Sequence, residues 1–296
     1  MNFLIIVLSV LVLITIVNKI LMRHYNPFML DRDKHLLIIG DSHTKYAFND
    51  KILNNVCNMS YNADSYFYTY VKMKQIVELN PQIDTVFISF SIHNIHKCIE
   101  DMWLFNKSHL HDRLKLYLPM LDFEDFRFLF KIDKSELISS CFGQILFPLY
   151  IKLEKKRFGG YEDLKYNNLK NELEKLESDG IWKEYISFEE SEIETKYLIK
   201  TINLCKSHNK VVVLVNTPLH KSLNDRQENL YQFYNDYFSD ILFYDFSKIE
   251  MKDEYFGDLV HLNSLGSTYF SGLIEKDRLF KLNNARSHNI LYTKPE

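Results

Sequence analysis

Cysteine is scarce in this chain: Cys57, Cys98, Cys141 and Cys205 are spread over 296 residues with no C-x-x-C pair. That spacing signals neither a zinc ribbon nor a redox dithiol. Glycine and proline are also few, at eight and six residues, which excludes a collagen-like or low-complexity protein. No charge predominates. With 36 Lys and Arg against 39 Asp and Glu, the formal charge of −3 gives no overall attraction to a nucleic-acid backbone. What is present is apolar and aromatic mass, 46% and 15% of the chain, enough for a sizeable core in one large domain or two small ones.

The longest uncharged run, FLIIVLSVLVLITIV from Phe3 to Val17, lies at the amino terminus and resumes as Ile20-Leu21-Met22 after Lys19. Roughly 20 apolar residues cross a bilayer as a helix, so residues 3–22 are expected to form one transmembrane segment. Only Asn2 precedes the run after the initiator, and no small-residue cleavage site follows it, which favours an uncleaved anchor over a signal peptide. Lys19, Arg23, Arg32 and Lys34 all follow the span, and the positive-inside rule on its own would place the following domain in the cytoplasm.

Beyond the anchor, HLLIIG (35–40), 56–60, TVFISF (85–90), KVVVLV (210–215) and 242–246 read as short buried strands. Helical stretches at 44–53 and 65–79 stand between them. Strands alternating with helices predict a parallel sheet covered on both faces, an α/β domain over about 35–280. Some 120 residues separate Phe90 from Val211, far more than the dozen or so a crossover needs beyond its helix. An insertion at about 97–185 is therefore expected, with helical patterning at 122–130, an aromatic patch at 142–150, the turn Gly159-Gly160 and a helix over 164–178; a further helix follows at 192–205. Phe123, Phe126, Phe128 and Phe130 have the helical spacing of core residues. The region reads either as a lid or acceptor-binding subdomain or as ordinary helices packed on the sheet.

Chemistry is concentrated at the two ends of this domain. Gly40-Asp41-Ser42 follows the first strand, where open α/β sheets bind ligands and a helix amino terminus can stabilise an oxyanion. Asp258-Leu-Val-His261 precedes the last helix. A serine becomes a nucleophile when a histidine takes its proton and a carboxylate orients that histidine, and all three residue types are present. His93 with His96, and His109 with His111, lack metal-ligand motif spacing and read as loop or surface residues.

Gly40-Asp41-Ser42 and Asp258-x-x-His261 together resemble the first and last sequence blocks of the SGNH/GDSL hydrolase superfamily. The resemblance runs over about 36–274 apart from the insertion. It implies a three-layer flavodoxin-like fold in which Ser42 is the nucleophile, His261 the base and Asp258 its orienting partner, without a metal or other cofactor. The family's second block supplies a glycine N–H to the oxyanion hole, whereas this chain has Tyr61-Asn62-Ala63-Asp64, leaving the N–H of Ala63 or Asp64 for that role. Its third block, G-x-N-D, corresponds to Ser91-Ile92-His93-Asn94. Strict alignment puts His93 at the amide-bearing position, while Asn94 is the residue with an amide to donate; the Ser42 N–H would be the other donor.

These departures resemble membrane-anchored SGNH-like proteins of cell-envelope glycan modification. That comparison implies a serine-dependent esterase or O-acyltransferase outside the cytoplasm, acting on an acylated carbohydrate or acyl donor, with a membrane-bound acyltransferase as a further partner. The alternative is a non-catalytic SGNH-like scaffold or glycan-binding partner of such an enzyme.

Overall fold

The computed structural model describes residues 2–25, 27–145, 158–178, 188–277 and 290–292. Its helices are α1 (Asn2–Tyr25), α2 (Ser42–Ala47), α3 (Tyr66–Leu79), α4 (Lys97–Ile99), α5 (Lys107–Tyr117), α6 (Phe123–Ile132), α7 (Lys134–Ile145), α8 (Leu169–Ser178), α9 (Glu192–Ser207), α10 (Glu228–Tyr237) and α11 (Ser264–Asp277). The strands are β1 (Leu36–Ile39), β2 (Val56–Asn58), β3 (Thr85–Ser89), β4 (Val211–Asn216), β5 (Leu242–Asp245) and β6 (Ile290–Tyr292). All pair in parallel in the order β2-β1-β3-β4-β5-β6. The first five strands thus have the 2-1-3-4-5 order of flavodoxin-like sheets.

Side-chain alternation explains why these short apolar runs are strands. Leu37, Ile39, Val86, Ile88, Val212 and Leu214 enter the core cluster that also holds Val71 of α3, Leu198 of α9 and Phe233 of α10. Their neighbours Leu36, Ile38, Phe87, Val213 and Val215 enter a second cluster with Ala47 of α2 and Phe270 and Ile274 of α11. A sheet with both faces buried reads as continuous hydrophobic sequence, and two helical layers enclose it.

Two expectations are corrected. The helix expected over 44–53 stops at Ala47. The Asn58 side chain donates to the Thr44 and Phe48 carbonyls at 3.0 and 2.9 Å, and the Asn49 N–H goes to Ser271 Oγ at 2.9 Å, so these groups bond across elements instead of extending the turn. The four phenylalanines of α6 also divide: Phe126 and Phe128 pack on the core, while Phe123 and Phe130 are exposed, because one narrow stripe of a helix meets the core.

Helix α1 is continuous over 24 residues, and most of its described apolar side chains, among them Ile6, Val12, Leu13 and Ile20, are exposed, while Val7, Ile14 and Leu21 are partly buried. Among the described residues, no helix is long and apolar enough to cross a membrane. The expected aromatic patch at 142–150 falls largely outside the described residues, as do the end of the insertion and the last residues before position 280.

Candidate active site

In a sheet of this order the chain leaves β1 in one direction and β3 in the other, which opens a crevice at their carboxyl ends. Ser42 follows β1 there, and Ser91 and His93 follow β3. The two strand ends approach closely at Gly40. It has φ +154°, and a Cβ on it would lie 2.2 Å from Ser89 Cβ. Only glycine fits that approach and tolerates that backbone conformation. Asp41 then caps α2 by accepting the His43 N–H at 3.0 Å, which sets Ser42 as the first residue of the helix.

The second group of residues arrives from the far end of the sequence. His261 Nε2 lies 2.8 Å from Ser42 Oγ, and His261 Nδ1 lies 2.7 Å from Asp258 Oδ2. The other oxygen of Asp258 accepts the N–H groups of Val260 and His261 at 2.9 and 2.7 Å, so the loop folds around its own carboxylate. Tyr166 donates its hydroxyl to Asp258 Oδ2 at 2.8 Å. Burial alone would raise the Asp258 pKa. The hydrogen bond and charge of His261, with the N–H of Val260 and the Tyr166 hydroxyl, outweigh it and hold the carboxyl at about 2. Asp258 is therefore ionised at neutral pH and able to stabilise an imidazolium on His261.

His93 and Asn94 both turn to Asp41. His93 Nε2 is 2.5 Å and the Asn94 amide nitrogen 2.7 Å from Asp41 Oδ2, and Ser89 Oγ donates to Oδ1 at 3.1 Å. Asn94 Oδ1 accepts the Ser91 N–H at 3.1 Å, closing the 3₁₀ turn Ile92–Ile95 with a capping box. Burial would raise the Asp41 pKa, but the neighbouring His93 and the bonds from His93 and Asn94 hold it well below the ordinary carboxylate range. The amide of Asn94 thus points at a carboxylate, while the His93 ring lines the cleft beside Ser42. Ala63 takes a left-handed conformation, φ +50°, of the kind a glycine favours, and its carbonyl meets His109 Nε2 at 3.1 Å. It is not among the residues lining the cleft.

The cleft has a volume of about 180 Å³ and is mostly apolar. Ser42, His43, His93 and His261 form its polar end, with the ring centroids of His43 and His93 4.0 Å apart. Burial, then the neighbouring His93, holds the His43 pKa well below its ordinary value, so that imidazole is neutral. Among the described residues, no group of three or more His, Cys, Asp or Glu could hold a metal ion.

Sequence reasoning passed over three contributors. Asp41 was read only as part of the G-D-S block, yet it organises the β3 side of the site. Ser91 touches His93 Nδ1 at 2.7 Å. Tyr166 lies 92 residues from Asp258, and no local pattern marks it.

No family model and no curated protein matches the chain. Solved structures do align with it. One is a GDSL-like lipase from Bacteroides thetaiotaomicron at 9% identity, covering 86% of this chain and 91% of that one with a TM-score of 0.39. Another is a provisionally assigned acylhydrolase from Bacteroides fragilis at 11% identity, 84% and 88% coverage and a TM-score of 0.39. A third, from Streptococcus pneumonia and provisionally assigned as a platelet activating factor, aligns at 11% identity over 93% and 98% of the two chains with a TM-score of 0.43.

Proposed function

We propose that this protein is a serine-dependent ester hydrolase or O-acyltransferase of SGNH type. The observation that carries the proposal is the imidazole of His261 standing between Ser42 Oγ at 2.8 Å and an ionised Asp258 at 2.7 Å. In this reading His261 Nε2 takes the Ser42 proton as Oγ bonds to the acyl carbon, and the carbonyl electrons move onto oxygen. The Ser42 N–H faces that oxyanion, while Asn94 and His93 act on the β3 side by fixing Asp41. Collapse of the tetrahedral species breaks the bond to the alcohol, which leaves with the proton from His261. Water or a second hydroxyl then repeats the sequence on acyl-Ser42, giving an acid or a new ester. No step needs a metal or cofactor.

The finer reading is that α1 anchors the enzyme in a membrane and that the alcohol is an envelope carbohydrate. The exposed apolar residues of α1 would be covered by lipid. An extracytoplasmic domain belongs to this reading through the resemblance to anchored envelope proteins alone, and it runs against the positive charges after the helix.

Covalent labelling by a fluorophosphonate tests the core of this proposal. Wild type is expected to label, whereas Ser42→Ala does not and His261→Ala labels at least a hundredfold more slowly. A folded wild type inert to the probe sinks the catalytic reading and leaves the scaffold.

A further inference from the structure

The triad supplies the chemistry of acyl transfer, and the walls of the cleft decide which acyl group it handles. Past the catalytic end, the lining is mostly apolar, formed by Ile92, Ile99, Met102, Trp103, Leu219, Leu223 and Val260, with Ser91 and Gln227 as its polar members. Three of these, Ile99, Met102 and Trp103, come from the segment inserted after β3, where α4 runs into a π-helical turn over Glu100–Leu104. The segment is fixed in place. Glu100, buried within it, accepts hydrogen bonds from Ser191 Oγ and from the Ile193 N–H at 3.4 Å, at the amino terminus of α9. The Lys97 N–H donates to the Glu189 carbonyl at 2.8 Å, and the Trp103 ring meets the edge of His93 at a centroid distance of 5.8 Å.

With apolar side chains outnumbering Ser91 and Gln227, such a wall offers few partners to a sugar hydroxyl and shields an alkyl chain from water. Benzene fills an apolar cavity of about 150 Å³, so a cleft of about 180 Å³ has room for an acyl tail of about six carbons. An acetyl group would leave most of it empty. We propose that the cleft is an acyl-chain pocket selecting an apolar acyl group of about six carbons over acetyl, with Met102 and Trp103 setting the length. This rests on the acyl-transfer reading above and names the class of its donor. The alcohol then lies on the open side of Ser42, toward Tyr166, which is half exposed.

The test uses the full chain in detergent with p-nitrophenyl esters from acetate to dodecanoate, alongside a binding measurement that needs no turnover. Each methylene buried should raise kcat/KM by up to about fourfold as far as hexanoate, with no further gain at dodecanoate. Trp103→Ala should lose at least tenfold on hexanoate and move the optimum to longer chains. In parallel, Ser42→Ala protein is titrated with hexanoate and with acetate while the tryptophan fluorescence that disappears in Trp103→Phe is followed. Saturable quenching by hexanoate and none by acetate is expected. Ser42-dependent cleavage that is as fast on acetate as on hexanoate overturns the pocket and leaves the hydrolase. Saturable hexanoate binding without cleavage of any ester supports the pocket and removes the hydrolase, and absence of hexanoate binding overturns the pocket whatever the kinetics.

Discussion

At the scale of single residues, burial and hydrogen bonding pull Asp258 in opposite directions, and the bonds prevail. Its folded pKa of about 2 lies below the ordinary 3.8, so the ionised form contributes stability above about pH 4 and loses it as pH falls toward 2. The displacement corresponds to about 2 kcal/mol. Asp258→Asn is therefore expected to be less stable than wild type at pH 7 and to converge with it near pH 2 in urea titrations. Its turnover should fall by about ten-thousandfold if the triad operates. Glu194 is the reverse case. Burial outweighs its bond to the Tyr66 N–H and lifts its pKa from 4.5 to about 8. The folded state holds this proton while the unfolded chain has released it, so stability declines as pH rises from 4.5 through 8. Glu194→Gln should remove that decline, on the order of 4 kcal/mol between the two conditions, in thermal melts at pH 5 and pH 9.

At the scale of elements, Lys72 joins pieces that the sequence keeps apart. From α3 it donates to the Met59 carbonyl just after β2 at 2.7 Å, to the Phe158 carbonyl at 2.8 Å, and to Asp64 Oδ2 at 2.9 Å, with both side chains fully buried. Tyr117 of α5 donates to the same Asp64 oxygen at 2.7 Å. Burial lowers the Lys72 pKa, and Asp64 opposes the shift. Lys72→Ala takes from Asp64 its nearest cation and leaves it Arg113 Nη1 at 3.5 Å and the Tyr117 hydroxyl, so it should cost about 3 kcal/mol, the low end for a broken buried pair, in denaturant unfolding. A loss below about 1 kcal/mol would mean that water replaces the ammonium there. The strands were legible because a doubly covered sheet needs unbroken apolar runs. The end of α2 was not, since Asn58 and Ser271, which take its last polar groups, are distant in sequence.

At the scale of the whole molecule, α1 and the α/β domain make different demands on solvent. If lipid covers α1, full-length protein should stay in the membrane pellet after alkaline carbonate extraction; release into the supernatant would refute the anchor. Orientation is testable through Phe123→Cys, whose side chain would stand on an exposed face of α6. Labelling of that cysteine in intact cells by an impermeant thiol reagent, above the wild-type background, is expected for an extracytoplasmic domain. Labelling only after lysis would place the domain inside, in accord with Lys19, Arg23, Arg32 and Lys34.

The sequence by itself determined strands β1 to β5, because strand periodicity and apolar composition are local properties, but not β6 (Ile290–Tyr292), which pairs with β5 beyond the domain end expected at about 280. It also marked Ser42, Asp258 and His261, since each lies in a short block bounded by a strand or a helix. Tertiary structure decided what those residues face. Asn94 and His93 could each have served an oxyanion, but the crossing of β1 and β3 at Gly40 brings Asp41 beneath them, and a buried carboxylate draws their donors. Tyr166 and Trp103 reach the site from an insertion whose path is set by bonds to α9 and to the Asp258 loop. No sequence pattern encodes a contact made across 92 residues; the packing of the finished sheet does.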